Sequence, residues 1–225
     1  MTVVERTDVD VLRAVVVAFR DVLAAHRPAI NQLNVYPVPD GDTGTNMSLT
    51  LGTVVEEVDT IADPDDLGAL CGAIAHGSLM GARGNSGVIL SQILRGAAGV
   101  IAAAGRLDAP TWATALRAAS DGAYGAVVRP VEGTILTVAR DVADEAAASA
   151  AGGDGLVAML ERCRRVGGES LARTPELLPV LAEAGVVDAG GAGFLLLLDA
   201  ALHVLDGRPL PPPPAVDAGA GVGHA

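Results

Sequence analysis

Apolar residues recur along this chain at intervals of three and four. Val11, Leu12, Val15, Val16, Phe19, Val22 and Leu23 make one such stripe, the spacing of a helix with a single buried face. The same periodicity predicts helices over about 8–26, 46–60, 65–80, 86–104, 110–128, 133–150, 154–172 and 190–206, with a short helical turn near 178–184. Asp8 is placed to cap the first. Gly81, Gly105, Pro110, Pro130, Gly133, Gly153 and Pro175 fall at the boundaries, where helix breakers belong. No alternating pattern extends beyond a few residues, so no strand is predicted. The fold class is all-α, a bundle of about eight helices.

The chain has 225 residues, 50% of them apolar, enough for one buried core. Alanine is abundant and aromatics make up only 2%, a composition suited to close helix packing. From about residue 207 the pattern stops. The stretch DGRPLPPPPAVDAGAGVGHA is proline-rich and then glycine/alanine-rich, unable to build a core. One domain over 1–206 is expected, with 207–225 as linker or tail.

Charge narrows the partners. The net charge is −12 and the pI about 4.6, which argues against nucleic acid and anionic membranes. All 15 basic residues are arginine. Without lysine there is no Walker A loop and no protein-kinase strand lysine. If the chain handles ATP, metal and backbone amides must carry most of the phosphate neutralisation. Cys71 and Cys163 lie in apolar helical surroundings without metal-ligand spacing and read as buried thiols. The N-terminus MTVVERTDVD has no signal-peptide core. No apolar run reaches about 18 residues without charge or glycine, so no membrane span and a cytoplasmic location are expected.

Residues 31–48, NQLNVYPVPDGDTGTNMS, hold the densest chemistry. Asp40 and Asp42 flank Gly41, and Gly44, Thr45 and Asn46 lead into a helix. Residues two apart in extended backbone point to one side, so the two carboxylates can share a divalent metal. Magnesium takes one or two carboxylates, completed by phosphate and water oxygens. A calcium loop starting at Asp40 fails, because Gly44, Thr45 and Leu51 stand where an acid or amide, a glycine and a glutamate are needed. The plainer alternative is an Asp-Gly turn in which Asp42, Thr43 or Thr45 caps the helix.

Three further glycine-rich segments precede apolar helices. In GARGNSGV, residues 81–88, Asn85 or Ser86 begins a helix. Its first amides can receive an anion, with Arg83 as a fixed positive charge; a glycine turn with a serine cap is the alternative. In VEGTILTV, residues 131–138, Glu132 and Thr134 are cap candidates, and Thr134 is equally a candidate pocket residue. In VVDAGGAGF, residues 186–194, Asp188 precedes Gly190, Gly191 and Gly193 at the last helix. The histidines, His26, His76, His203 and His224, share no ligand spacing.

Together LNVYPVPDGDTGTNM, GSLMGARGNSGVILSQILRG, RPVEGTILTVARD and VVDAGGAGF resemble the DAK2 (DhaL-like) domain. More narrowly, they resemble the N-terminal ATP-binding domain of the fatty acid kinase catalytic subunit, a relative of the nucleotide-binding subunit of dihydroxyacetone kinases. The resemblance covers residues 8–206. It implies an antiparallel barrel of eight helices with ATP or ADP and two Mg2+ at one end. It implies that Asp40 and Asp42 are the catalytic metal ligands and that Thr43, Gly44, Thr45 and Asn46 contact phosphates. It places Asn85 and Ser86 against the nucleotide, and Thr134, Asp188 and Gly190 on further pocket segments. The dihydroxyacetone kinase relatives carry another metal-binding aspartate upstream. Here that stretch reads Asn34-Val35-Tyr36-Pro37, and Asn34 is the expected neutral substitute in the metal set, which points to the fatty acid kinase branch.

The implied reaction transfers the γ-phosphoryl group of ATP to a fatty acid presented by a separate fatty-acid-binding protein of the DegV-like kind, giving an acyl phosphate. A carboxylate is already ionised at neutral pH, so this acceptor needs no general base. Two rivals stand beside it: a dihydroxyacetone kinase nucleotide subunit, and a nucleotide-binding module inactive without further domains. A homodimer is compatible with the sequence.

Overall fold

A computed structural model describes residues 7–63 and 65–214. Among them are ten helices and no strand. Eight are long: α1 (Asp8–Gln32), α2 (Thr43–Asp59), α3 (Leu67–Gly81), α4 (Gly84–Ala104), α5 (Ala109–Gly125), α6 (Ile135–Ala151), α7 (Leu156–Ala172) and α10 (Ala189–Asp206). Two short ones, α8 (Thr174–Leu177) and α9 (Pro179–Ala184), join α7 to α10. Each of α1 to α7 packs on the next, and α10 packs on both α7 and α1, so the eight long helices close into a barrel.

The interior is filled by fully buried Phe19, Leu23, Met47, Leu51, Leu90, Ile93, Met159, Leu160, Phe194 and Leu198. Between these, Ala115, Ala119, Ala143, Ala146, Ala200 and Ala201 are buried to within 1% exposure. Small side chains let neighbouring helices approach closely, which accounts for an alanine-rich chain with few aromatics. By length and composition alone α4 and α10 are apolar enough to cross a membrane, contrary to the expectation from the sequence. Here both are staves of the barrel, packed on neighbouring helices. Cys71 and Cys163 are free and buried, and burial pushes their thiols up to about 11 and about 12.

The structure corrects several boundaries. α1 does not stop before Pro28 but runs through it to Gln32. Proline forfeits one backbone bond, yet buried Ile30 keeps the last turn on the core. Its cap is Thr7 in a capping box with Asp10; Asp8 instead accepts the Leu107 amide at 3.0 Å. α2 starts three residues earlier than expected, at Thr43. The predicted tail is anchored where it begins: Arg208 pairs with Glu161 and Asp206, and Leu210 packs on the core. Residues 215–225 lie outside the described residues.

Candidate functional site

One end of the barrel opens into a cleft of about 530 Å3, the size of a small-ligand site. It receives the C-terminal side of α1, the starts of α2, α4, α6 and α10, and the α5–α6 connection. Ten of the twelve residues singled out in the sequence line it: Asn34, Asp40, Asp42, Thr43, Asn46, Asn85, Ser86, Thr134, Asp188 and Gly190. Four segments far apart in sequence therefore meet.

Gly44 and Thr45 do not line it. A Cβ on Gly44 would lie 2.5 Å from the Arg27 carbonyl oxygen, so this glycine is a packing contact of α2 on α1. Thr45 is tied to Asn31 on the same side: its amide donates to Asn31 Oδ1 at 3.1 Å and its Oγ1 accepts from Asn31 Nδ2 at 3.0 Å. Both positions, expected to contact phosphate, seat α2 on α1.

Asp42 occupies the N-cap position of α2 but makes no side-chain cap bond. Asn34 does that work. Its Oδ1 accepts from the amides of Asp42 and Thr43 at 3.2 and 3.0 Å and from Thr43 Oγ1 at 2.7 Å. Its Nδ2 donates to the Val38 carbonyl at 2.9 Å. The oxygen expected to bind metal is thus committed to the loop, and ligation would mean surrendering these bonds. Among the described residues, the carboxylates of Asp40 and Asp42 enter no hydrogen bond or ion pair. No third acid, histidine or cysteine joins them in a metal cluster among the described residues.

Across the cleft, α4 begins without a side-chain cap. Its first turn, Gly84-Asn85-Ser86, lines the cavity, so its amides are available to an anion. Ser86 Oγ is buried without a hydrogen-bond partner. Gly84 has φ +57°, a backbone conformation that favours glycine, and the Asn46 amide group would lie 2.3 Å from a Cβ there. Arg83, expected to reach a phosphate, turns back onto the carbonyls of Met80 and Ala82 at 3.2 and 3.0 Å.

The starts of α6 and α10 behave differently. Thr134 caps α6 through Leu136 N at 3.3 Å and donates to the Val131 carbonyl at 2.8 Å. Asp188 caps α10 through Gly191 N at 2.7 Å. Burial pushes its carboxyl up to about 6, against the opposing pull of the Gly191, Ile135 and Gly190 amides. One side chain thereby serves the starts of both helices. At the α10 start the position an anion would take is filled by the protein's own Asp188 side chain.

The remaining wall is mostly apolar and was not foreseen: Val88, Ile89, Val127, Val131, Ile135 and Leu136, with Arg129 also on the lining. Its α5–α6 segment is held by Glu132, which accepts from Thr137 Oγ1 at 2.6 Å, Tyr124 Oη at 3.0 Å and Arg140 at 2.9 Å. Burial alone would raise the Glu132 carboxyl, but these donors hold it below its ordinary value. Tyr124 is pushed up to about 12 by burial and by Glu132. A Glu–Thr pair five apart beside a proline was the available signal, but it fitted a simple helix cap equally well.

The DAK2 domain family model matches residues 37–203. The chain belongs to the DAK2 domain family. This DAK2 domain is 48% identical to protein YloV of Bacillus subtilis over 189 residues, 84% of this chain and 34% of that protein. It is 45% identical to an uncharacterised protein of Staphylococcus saprophyticus over 186 residues, again 34% of that protein. It therefore spans about a third of the length of these relatives. Among solved structures, the dihydroxyacetone kinase of C. freundii in complex with AMP-PNP and Mg2+ superposes with a TM-score of 0.63 at 17% identity. That match covers 85% of this chain and 33% of the kinase. The native form of the same enzyme gives 0.61 over 90% of this chain. At this identity the likeness establishes the shared all-α fold.

Proposed function

We propose that this DAK2 domain is the ATP-binding part of a kinase that phosphorylates a fatty acid carboxylate, the acyl chain being presented by a separate DegV-like fatty-acid-binding protein. The carrying observation is the pairing of two unengaged carboxylates, Asp40 and Asp42, with an uncapped helix start at Gly84-Asn85-Ser86 in one cleft. One side suits a cation and the other an anion, which together describe a metal-bound polyphosphate. The orphaned hydroxyl of Ser86 supplies a donor or acceptor that the folded protein alone leaves unused.

Asp40 and Asp42 would hold Mg2+, two ions in the family picture, with phosphate and water oxygens completing the coordination. When bound, Mg2+ supplies neutralisation of phosphate charge, beside Arg129 on the cleft lining, in a chain without lysine. The α4 amides and Ser86 bind and orient the phosphates. The valine-rich wall takes the base and excludes water. Phosphoryl transfer asks mainly for such positioning and charge stabilisation. No histidine, lysine or cysteine lines the cleft, and its buried acid, Asp188, is committed to amides. This favours an acceptor that arrives already ionised, hence a carboxylate over a hydroxyl. Val38, Val88 and Val128 stand 56%, 42% and 99% exposed at the cleft and suit an apolar acceptor or its carrier.

Calorimetry of Mg-ATP binding with Asp42→Ala tests the site. Affinity is expected to fall by at least about tenfold, the loss of a charge-assisted contact, while circular dichroism keeps its helical signal. Unchanged affinity would remove Asp42 from the site. Transfer assays then choose the acceptor. Phosphorylation of dihydroxyacetone, and not of a protein-bound fatty acid, would assign the chain to the neighbouring kinase class. Binding without turnover, restored in a longer chain, would make this domain a nucleotide module.

A further inference from the structure

The cap of α2 comes from the wrong helix. Aspartate at an N-cap ordinarily turns its carboxylate onto the second or third amide of its own helix, and Asp42 has the residue type and the position to do so. It does not. Asn31 Oδ1, at the end of α1, takes the third amide, that of Thr45, and Asn34 Oδ1, just past α1, takes the amides of Asp42 and Thr43 ahead of it. Both also donate, Asn31 to Thr45 Oγ1 and Asn34 to the Val38 carbonyl. An ionised aspartate has no donor to offer. Asn34 thus grips the loop on both flanks of the acidic pair, at residue 38 and at residues 42–43. Asn31 does not line the cleft and acts only through Thr45.

We infer that Asn31 and Asn34 are positioning residues: they cap α2 from outside so that the carboxylates of Asp40 and Asp42 stay unengaged and face a divalent cation. Without Asn31 the Thr45 amide would be open to the Asp42 carboxylate, and without Asn34 the loop carrying both carboxylates would lose its hold at residues 38 and 42–43; a carboxylate turned onto an amide is lost to the metal. This inference rests on the metal reading proposed above and deepens it by assigning Asn34 to the support of the site instead of its coordination.

The test follows Mn2+ binding to the full chain by electron paramagnetic resonance, without nucleotide and without turnover. Asn31→Ala is expected to weaken Mn2+ binding by about fivefold to tenfold, the range set by loss of one helix cap, with helical content unchanged. Asn31→Asp is expected to bind within about twofold of the natural chain, because it keeps an acceptor for Thr45 N while the threonine hydroxyl turns to donate. Asn34→Ala is expected to weaken binding as Asn31→Ala does. Wild-type affinity in Asn31→Ala would overturn the inference and leave the metal reading intact. So would a loss confined to Asn34→Ala, which would mark Asn34 as a ligand. If Asn31→Ala does not fold, Asn31→Asp decides: folded but unable to bind Mn2+, it overturns the inference. A natural chain that binds neither Mn2+ nor Mg-ATP would overturn the metal reading and this inference with it.

Discussion

At the residue scale, the most constrained ionisable group is Asp188. Its ordinary value is 3.8, and in the fold it stands at about 6. The folded protein therefore holds this proton more tightly than the unfolded chain. The stability it contributes is fully present below about pH 4 and is lost as pH rises through about 6. Asp188→Asn removes that dependence while keeping an acceptor for Gly191. Urea unfolding should show the variant gaining about 2 kcal/mol on the natural protein between about pH 4 and pH 7. Parallel pH profiles for the two proteins would show that Asp188 is not the buried acid described. The sequence marked this residue as a pocket position but not as a cap that serves two helices. That depends on α6 and α10 meeting end to end, which no local pattern encodes.

At the element scale, α2 shows what periodicity reads and what it misses. Buried Met47, Leu51, Val54 and Val58 gave the helix away by their spacing. Its first turn was misplaced because its partners lie nine to fourteen residues upstream, at the end of α1 and just past it, beyond any local motif. Gly44 shows the same limit: a glycine beside an acidic pair suggests phosphate, and only the packed fold reveals Arg27 against it. Gly44→Ala should cost roughly 1–3 kcal/mol, since the new methyl must push α2 away from α1. Gly52→Ala, on the same helix with nothing within 4 Å of the added carbon, should instead stabilise by roughly 0.5–1 kcal/mol. Chemical denaturation of both variants checks the pair, and equal effects would contradict the packing described. Most of the helices and four cleft segments were legible because buried stripes and glycine-rich starts are local. The apolar wall was not, because its valines look like any other core residues until the α5–α6 segment is folded over them.

At the scale of the whole molecule, a net charge of −12 opposes the approach of an anionic nucleotide. Raising salt from about 0.01 M to about 0.15 M shortens the screening length from about 30 Å to about 8 Å. Association of Mg-ATP, followed by stopped-flow fluorescence of a labelled analogue, should therefore become faster. A slowing would mean that the bare start of α4 governs encounter more strongly than the overall charge. The barrel's topology carries a further consequence. The start of α1 and the end of α10 both lie at the end opposite the cleft, because α10 begins at the cleft and α1 finishes there. Eighteen residues of α10 measure about 27 Å. Anything tethered beyond Asp206 must span that distance along the outside of the barrel before it can reach the cleft. An extended proline-rich strand covers about 3.1 Å per residue, so a leash of about nine such residues is the shortest that could deliver a tethered group to the mouth.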